Sequence, residues 1–192
     1  MKLNNKYYIL RHGEAVSNVK DIVSCWPEKF YNPLTEKGIA KIEGVAKGLE
    51  RKNIEHIFSS PLLRTSQTAE IIGNHLRLKV KKDKRLRELE FGIFNGGPED
   101  DFIKYFKNKK ERLKKSAPKG ENYNGALKRV WDFFQETNKK YKNKNILIIS
   151  HQAPLLLLLG KVNGQPILES MDGIVRVTGE RKIVKGQLIE LN

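Results

Sequence analysis

A chain of 192 residues holds one ordinary domain with a sizeable core and is too short for two of typical size, so residues 1–192 are read as a single unit. Its apolar residues, 39% of the total, never form a run near the roughly 18 that a membrane span needs, and the lone cysteine, Cys25, excludes an internal disulfide and a multi-cysteine zinc site. Lysine and arginine outnumber aspartate and glutamate by 37 to 22, and the net charge of +15 favours an anionic substrate or partner.

Asn4, Asn5 and Lys6 stand where a secretory signal would be apolar, so a cytoplasmic protein is expected. Tyr7 to Leu10 reads as a first strand, followed by a loop holding Cys25, Trp26-Pro27 and Asn32-Pro33. Thr35 is placed to cap a helix whose Ile39, Ile42, Ala46 and Leu49 recur at the helical period. Ile54 to Phe58 reads as a second strand, Thr65 to Leu76 as a second helix and Leu78 to Val80 as a short third strand. Pro98 to Tyr141 reads as two helices broken near Pro118-Lys119-Gly120, the second with an apolar face of Leu127, Val130, Trp131 and Phe134. A helical cap inserted at about 93–125 follows from that pattern. Within it, Lys104 to Lys119 carries eight basic residues and one acid, Glu111; such runs are usually solvated faces, with RNA binding as the competing reading. Ile146 to Ile149 is the unbroken apolar run of a strand buried on both faces, and a helix from Leu155 follows. Val175 to Val177 and Ile183 to Leu191 read as closing strands, paired as a hairpin around Gly179. The expectation is an α/β fold, a three-layer α/β/α sandwich with a mostly parallel central sheet.

Three strands run into reactive residues: Leu10 into Arg11-His12-Gly13-Glu14, Phe58 into Ser59-Ser60-Pro61, and Ile149 into Ser150-His151-Gln152. Ligand sites of open α/β sheets lie outside the carboxyl ends of the strands, so these stretches are expected to converge. A neutral imidazole attacks phosphorus and carries the phosphoryl group, provided fixed cations neutralise its oxygens. His12 is the candidate nucleophile, with Arg11, Arg64 and His151 as the clamp. Gly13 is expected to let a tetrahedral anion approach the backbone. Arg64 falls just ahead of the second helix, whose N-terminal amides would share the anion. His56 and His75 are read as structural, Cys25 as an inert packed thiol, and Glu99-Asp100-Asp101 as a helix start matched to its dipole rather than a Mg²⁺ site.

Arg11-His12-Gly13-Glu14, Ser59 to Ala69, Leu86-Arg87-Glu88 with Gly92, and Ser150-His151 together resemble the histidine phosphatase superfamily, the phosphoglycerate-mutase-like fold, over nearly the whole chain. The resemblance implies that His12 becomes phosphorylated, that Arg11, Arg64 and His151 surround the phosphate, and that Ser17 and Asn18 line the pocket. It also implies that Glu88 protonates the leaving oxygen and then activates water. Spacing alone leaves Glu88 and Glu90 both open, because residues two apart share a face of extended chain; the resemblance selects Glu88. Thr35, Glu36 and Gly38 fit the family's helix start, and Gly120-Glu121 and Arg129 match its Gly-Glu-Ser and later arginine, with Asn122 in place of the serine. Gln152-Ala153-Pro154 stands where two glycines usually follow the second histidine, so Gln152 is expected to enter the substrate pocket.

The implied activity is hydrolysis of a small phosphomonoester, a sugar phosphate or related metabolite, with no metal or organic cofactor and no membrane partner. A cofactor-dependent phosphoglycerate mutase is the nearest alternative; the 62 residues between Glu88 and His151 are short for one. A phosphate- or RNA-binding module without turnover is the alternative of another class, and strongly salt-dependent RNA binding would mark it.

Overall fold

Strand β1 (Lys6–Arg11) sends Tyr7 and Ile9 to one side of a sheet and Tyr8 and Leu10 to the other, and all four are buried. Double burial is what a central strand between two helical layers requires. Strand β4 (Asn145–Ser150) repeats it, with Ile146 and Ile148 on the first side and Leu147 and Ile149 on the second. The structure, a computed structural model, describes residues 2–171 and 183–191. Among these, β3 (Val80–Lys82), β2 (His56–Ser59), β4, β1 and β5 (Leu188–Leu191) form a five-stranded sheet in that order. All pairings are parallel except β5 on β1.

The second face is covered by α2 (Glu36–Leu49), through Ile42, Ala46 and Leu49, and by α3 (Leu63–Leu76), through Ala69 and Ile72. The first is covered by α5 (Tyr123–Lys140), through Val130, Phe133 and Phe134, and by α6 (Gln152–Val162), through Leu155, Leu158 and Leu159. Each of these side chains larger than alanine contributes on the order of 1.5–3 kcal/mol by leaving water. The result is the expected three-layer sandwich. The short helices α1 (Val16–Val19), α4 (Glu99–Lys104) and α7 (Ile167–Met171) lie outside the layers' long elements.

Several elements differ from the sequence reading. α3 begins at Leu63, so Arg64 lies inside the helix rather than ahead of it. At its other end Arg77 is left-handed and the Leu78 amide donates to the Gly73 carbonyl, which uses Leu78 as helix closure and delays β3 to Val80. α6 starts at Gln152 rather than Leu155, because Pro154 falls in the first turn, where a missing N–H costs nothing. The first of the two helices expected after Pro98 is one short piece, Glu99–Lys104, followed by turns and a single 3₁₀ turn at Glu111–Leu113. There Asn108 and Glu111 spend their side chains on nearby backbone amides, bonds that compete with a helix. Ile39 is partly exposed and not part of the α2 core stripe, and His56 opens β2 rather than lying inside it. The closing strand is Leu188–Leu191, preceded by a turn at Gly186 with φ of +70°. Val175 to Val177 and Gly179 fall outside the described residues.

Candidate active site

The register fixes where the reactive residues meet. Arg11 pairs with Ser150 and Ser59 with Ile149, and the ladder continues one step further as the His12 amide donates to the Ser150 carbonyl and the Ser60 amide to Ile149. The ends of β1, β2 and β4 therefore set His12, Ser60 and His151 side by side. His12 lines a cavity of about 280 Å³ together with Arg11, Ser17, Asn18, Arg64, Glu88 and Gln152, whereas Ser60 and the predicted substrate contact His151 lie behind that wall, fully buried.

His12 is buried, and its Nδ1 lies 2.7 Å from the Gly13 carbonyl. A carbonyl only accepts, so Nδ1 carries the proton and the lone pair is on Nε2. That lone pair accepts from Arg64 Nε at 3.1 Å. Arg64 Nη2 reaches His151 Nδ1 at 3.0 Å. Arginine only donates, so Nδ1 of His151 is bare and its Nε2–H donates to Ser60 Oγ at 2.9 Å. The two imidazole rings stand 5.2 Å apart, edge to face. Burial, reinforced by Arg64 and by Arg11, holds both histidines well below the ordinary imidazole pKa, so both are neutral near pH 7.

Arg11 donates through Nη1 to Gln152 Oε1 and to the Ile183 carbonyl, while its Nε is buried without a partner. An unsatisfied buried donor is costly, and the residue that carries it, Arg11, is part of the cavity wall. Gln152 thus reaches the site, with its amide oxygen committed to Arg11. Glu88 is buried and accepts from the Leu89 amide at 2.8 Å. Burial raises its pKa, and the opposing pull of that hydrogen bond and of Arg64, Arg11 and Arg129 does not cancel the rise. Glu90 does not share its role: it pairs with Arg87 at 2.9 Å and is absent from the cavity wall.

Supporting residues fix this constellation. Arg129 donates to the carbonyls of Arg85, Arg87 and Glu88 and pairs with Glu121, which in turn accepts from the Glu90 amide. Ser17 exchanges two hydrogen bonds with buried Asn32, and Asn18 Oδ1 accepts from the Ala15 amide. Asn122 caps α5 through the Gly125 amide, and Asn95 ties down the Cys25–Pro27 loop. Cys25 is buried below the site, its thiol pushed up to about 11 by burial.

Two expectations are corrected. A Cβ on Gly13 would stand 2.9 Å from the Gly38 carbonyl and from Ile42, so this glycine permits close packing of α2 rather than approach of an anion. The α3 N-terminus is already engaged, since the Leu63 amide donates to Glu28 Oε2 at 2.9 Å. Glu28, Ser24 and Ser60 were missed as partners of site residues; of these only Ser60 lies in a stretch with a sequence signal. Arg112 and Lys185 also line the cavity. His75 pairs with Glu50 on the surface, and His56 packs on Tyr141. Among the described residues no three His, Cys, Asp or Glu are grouped to hold a metal, and no helix is long and apolar enough to cross a membrane.

The family model of the histidine phosphatase superfamily (branch 1) matches residues 7–179. A curated relative named probable phosphoglycerate mutase GpmB, from Yersinia pestis (strain Pestoides F), is 31% identical over 166 residues, covering 83% of this chain and 75% of its own length. The solved structure of Bacillus stearothermophilus YhfR superposes with a TM-score of 0.76 at 26% identity, over 86% of this chain and 83% of that one. A mycobacterial glucosyl-3-phosphoglycerate phosphatase complexed with VO3 shares the fold, with a TM-score of 0.80 at 19% identity over 97% of this chain and 92% of that one.

Proposed function

This chain belongs to the histidine phosphatase superfamily (branch 1), and from that premise we propose that it hydrolyses a small phosphomonoester, a sugar phosphate or related metabolite, through a phosphohistidine at His12. The observation that carries the proposal is the His12 tautomer: the Gly13 carbonyl holds the proton on Nδ1, which leaves the Nε2 lone pair facing the cavity beside two guanidinium groups.

In the proposed reaction Nε2 of His12 forms a bond to phosphorus as the ester oxygen departs. Arg64 gives up its hydrogen bonds to the histidines for bonds to phosphoryl oxygens, and the unpartnered Arg11 Nε takes another. His151 remains neutral and is held by Ser60. Glu88, whose burial keeps a proton on the carboxyl above the usual carboxylate range, protonates the leaving alcohol. The resulting carboxylate takes a proton from water, the hydroxide attacks phosphorus, and the P–N bond breaks to return neutral His12 and inorganic phosphate. We read residues 93–125 as the cap that closes this pocket, since Glu99, Phe102, Arg112 and Tyr123 contribute to its wall. The chemistry uses no metal or organic cofactor.

A mutase is the second reading, favoured by the names of the relatives. A screen of sugar phosphates, phosphoglycerates, nucleotides and phosphopeptides, with orthovanadate as inhibitor and His12→Ala as control, separates the two. Release of inorganic phosphate that depends on His12 supports the hydrolase. Interconversion of phosphoglycerates faster than phosphate release would establish the mutase, and no His12-dependent turnover of any ester would refute both.

A further inference from the structure

Among the described residues Arg64 is the side chain that hydrogen-bonds both histidines of the site, and its orientation decides what it offers a phosphate. The guanidinium has five N–H groups. Nε–H and one Nη2–H, on the same edge, point at His12 Nε2 and His151 Nδ1. The other side of the group is tied from behind: Nη2 donates to the Ser24 carbonyl at 2.9 Å, and Nη1 lies 3.4 Å from Ser24 Oγ and 3.3 Å from Glu28 Oε1.

Glu28 is not part of the cavity wall. Its second oxygen, Oε2, accepts from the amide of Leu63, the residue before Arg64 and the first of α3. One carboxylate thus grips both the backbone that carries Arg64 and the far end of its side chain. The pair is well shielded, with side-chain exposures of 3% for Arg64 and 18% for Glu28. Burial pulls the Arg64 pKa down, and Glu88 and Glu28 oppose that pull.

We propose that Glu28 is a positioning residue that locks the Arg64 guanidinium with its Nε–Nη2 edge turned toward His12 Nε2 and His151 Nδ1, the partners that edge would exchange for two oxygens of the transferring phosphoryl group. The proposal rests on the phosphatase reading above. It follows from the geometry of bidentate recognition: two parallel N–H bonds reach an oxyanion only when the guanidinium plane is held at the right angle. Without the Glu28 carboxylate, only Ser24, through its carbonyl on Nη2 and its hydroxyl on Nη1, opposes rotation of that edge about the last side-chain bonds. Nothing in the local sequence, Trp26-Pro27-Glu28-Lys29, marks the residue, because its partner lies 36 positions away.

The competing explanation is that Glu28 only caps α3. Glu28→Gln separates the two, since the amide keeps an oxygen for the Leu63 N–H and turns toward Nη1 an –NH2 group that neither carries the charge nor accepts its hydrogen bond. With an activated aryl phosphate as substrate, kcat should fall by about tenfold or more, as expected when a positioned cation loosens. Orthovanadate affinity, read by calorimetry, should fall by a similar factor, while the melting temperature stays within about 2 °C of the wild type. In an Arg64→Ala background Glu28→Gln should change neither quantity further, because a residue acting through Arg64 has nothing left to position. Wild-type kcat and vanadate affinity in Glu28→Gln, or losses that multiply with those of Arg64→Ala, would overturn the proposal. Should Glu28→Gln not fold, Glu28→Asp, one methylene too short to grip both partners, enters the same cycle with the same expected losses. Vanadate binding needs no turnover, so it tests Glu28 even if the chain hydrolyses no ester and the phosphatase reading fails.

Discussion

Arg64 Nε donates to His12 Nε2 at 3.1 Å, so the cation that would hold the phosphate occupies the lone pair that would attack it. The bond keeps the imidazole aimed into the cavity, and an arriving phosphate replaces it by taking the same N–H. Lysine offers a point charge without a planar fork and cannot bridge both histidines. Arg64→Lys is expected to lower kcat by roughly 10²–10³-fold, the size seen when a fixed donor to a developing oxyanion is lost. Steady-state kinetics on an aryl phosphate checks this, and a loss below about threefold would show that the bridge is dispensable.

Glu88 faces the cavity and Glu90 turns away to Arg87, which separates their expected roles. On an alkyl phosphate, whose leaving group needs a proton, Glu88→Gln should lose roughly 10²-fold or more. On an aryl phosphate the first step should suffer far less and a burst of phenol should persist. Glu90→Gln should change neither. Leaving-group dependence in Glu90→Gln together with wild-type behaviour in Glu88→Gln would mean the acid is misassigned.

The same burial sets the pH dependence. Phosphorylation of His12 requires neutral His12, whose pKa lies well below the ordinary value, and protonated Glu88, whose pKa is raised. With an alkyl phosphate, the rate of His12 phosphorylation should therefore fall on the acid side only well below pH 6.5 and on the alkaline side only above the usual carboxylate range, and Glu88→Gln should remove the alkaline limb alone. Stability carries its own sign. A carboxyl whose pKa is higher folded than unfolded contributes fully below the unfolded value and loses that contribution as pH rises through the folded one. Glu88→Gln should match the wild type in acid and exceed it at neutral pH, where each 1 kcal/mol gained would read as roughly 2–4 °C in Tm. Equal melting temperatures at both pH values would contradict the buried-acid assignment.

Much of this was legible in the sequence because it is local. The apolar runs at Tyr7–Leu10 and Ile146–Ile149 announce strands, the second as doubly buried, and the residues just past them, His12 and His151, follow from the rule that sites sit at strand ends. Element ends were less legible, since Leu78 serves as helix closure through a bond to Gly73 that no local pattern declares. The cap was least legible: its helix-like composition is undone by side chains such as Asn108 and Glu111 that bond to backbone instead. Glu28 and Ser24 could not be found, because what they do depends on where α3 places Arg64.

The basic cap separates in the same way. Of its cations, Arg112 reaches the cavity wall, with Nε buried and unpartnered and its guanidinium 6.0 Å from the centre of the Tyr123 ring. Lys110 and Lys114 are not part of that wall. Arg112→Gln is expected to raise KM several-fold with little change in kcat, whereas Lys110→Gln and Lys114→Gln should leave KM unchanged at 0.15 M salt, about where surface charges are screened beyond ~8 Å. A KM that follows the lysines instead would mean that the cap acts by its overall field.

The most direct test of the phosphohistidine is to trap it. Rapid quench of the enzyme with a ³²P-labelled phosphomonoester, followed by peptide mapping, should give acid-labile, base-stable label on His12 within one turnover, and none in a His12→Ala protein that remains folded. Label on Cys25, on a serine or on His151, or turnover that persists in His12→Ala, would contradict the account.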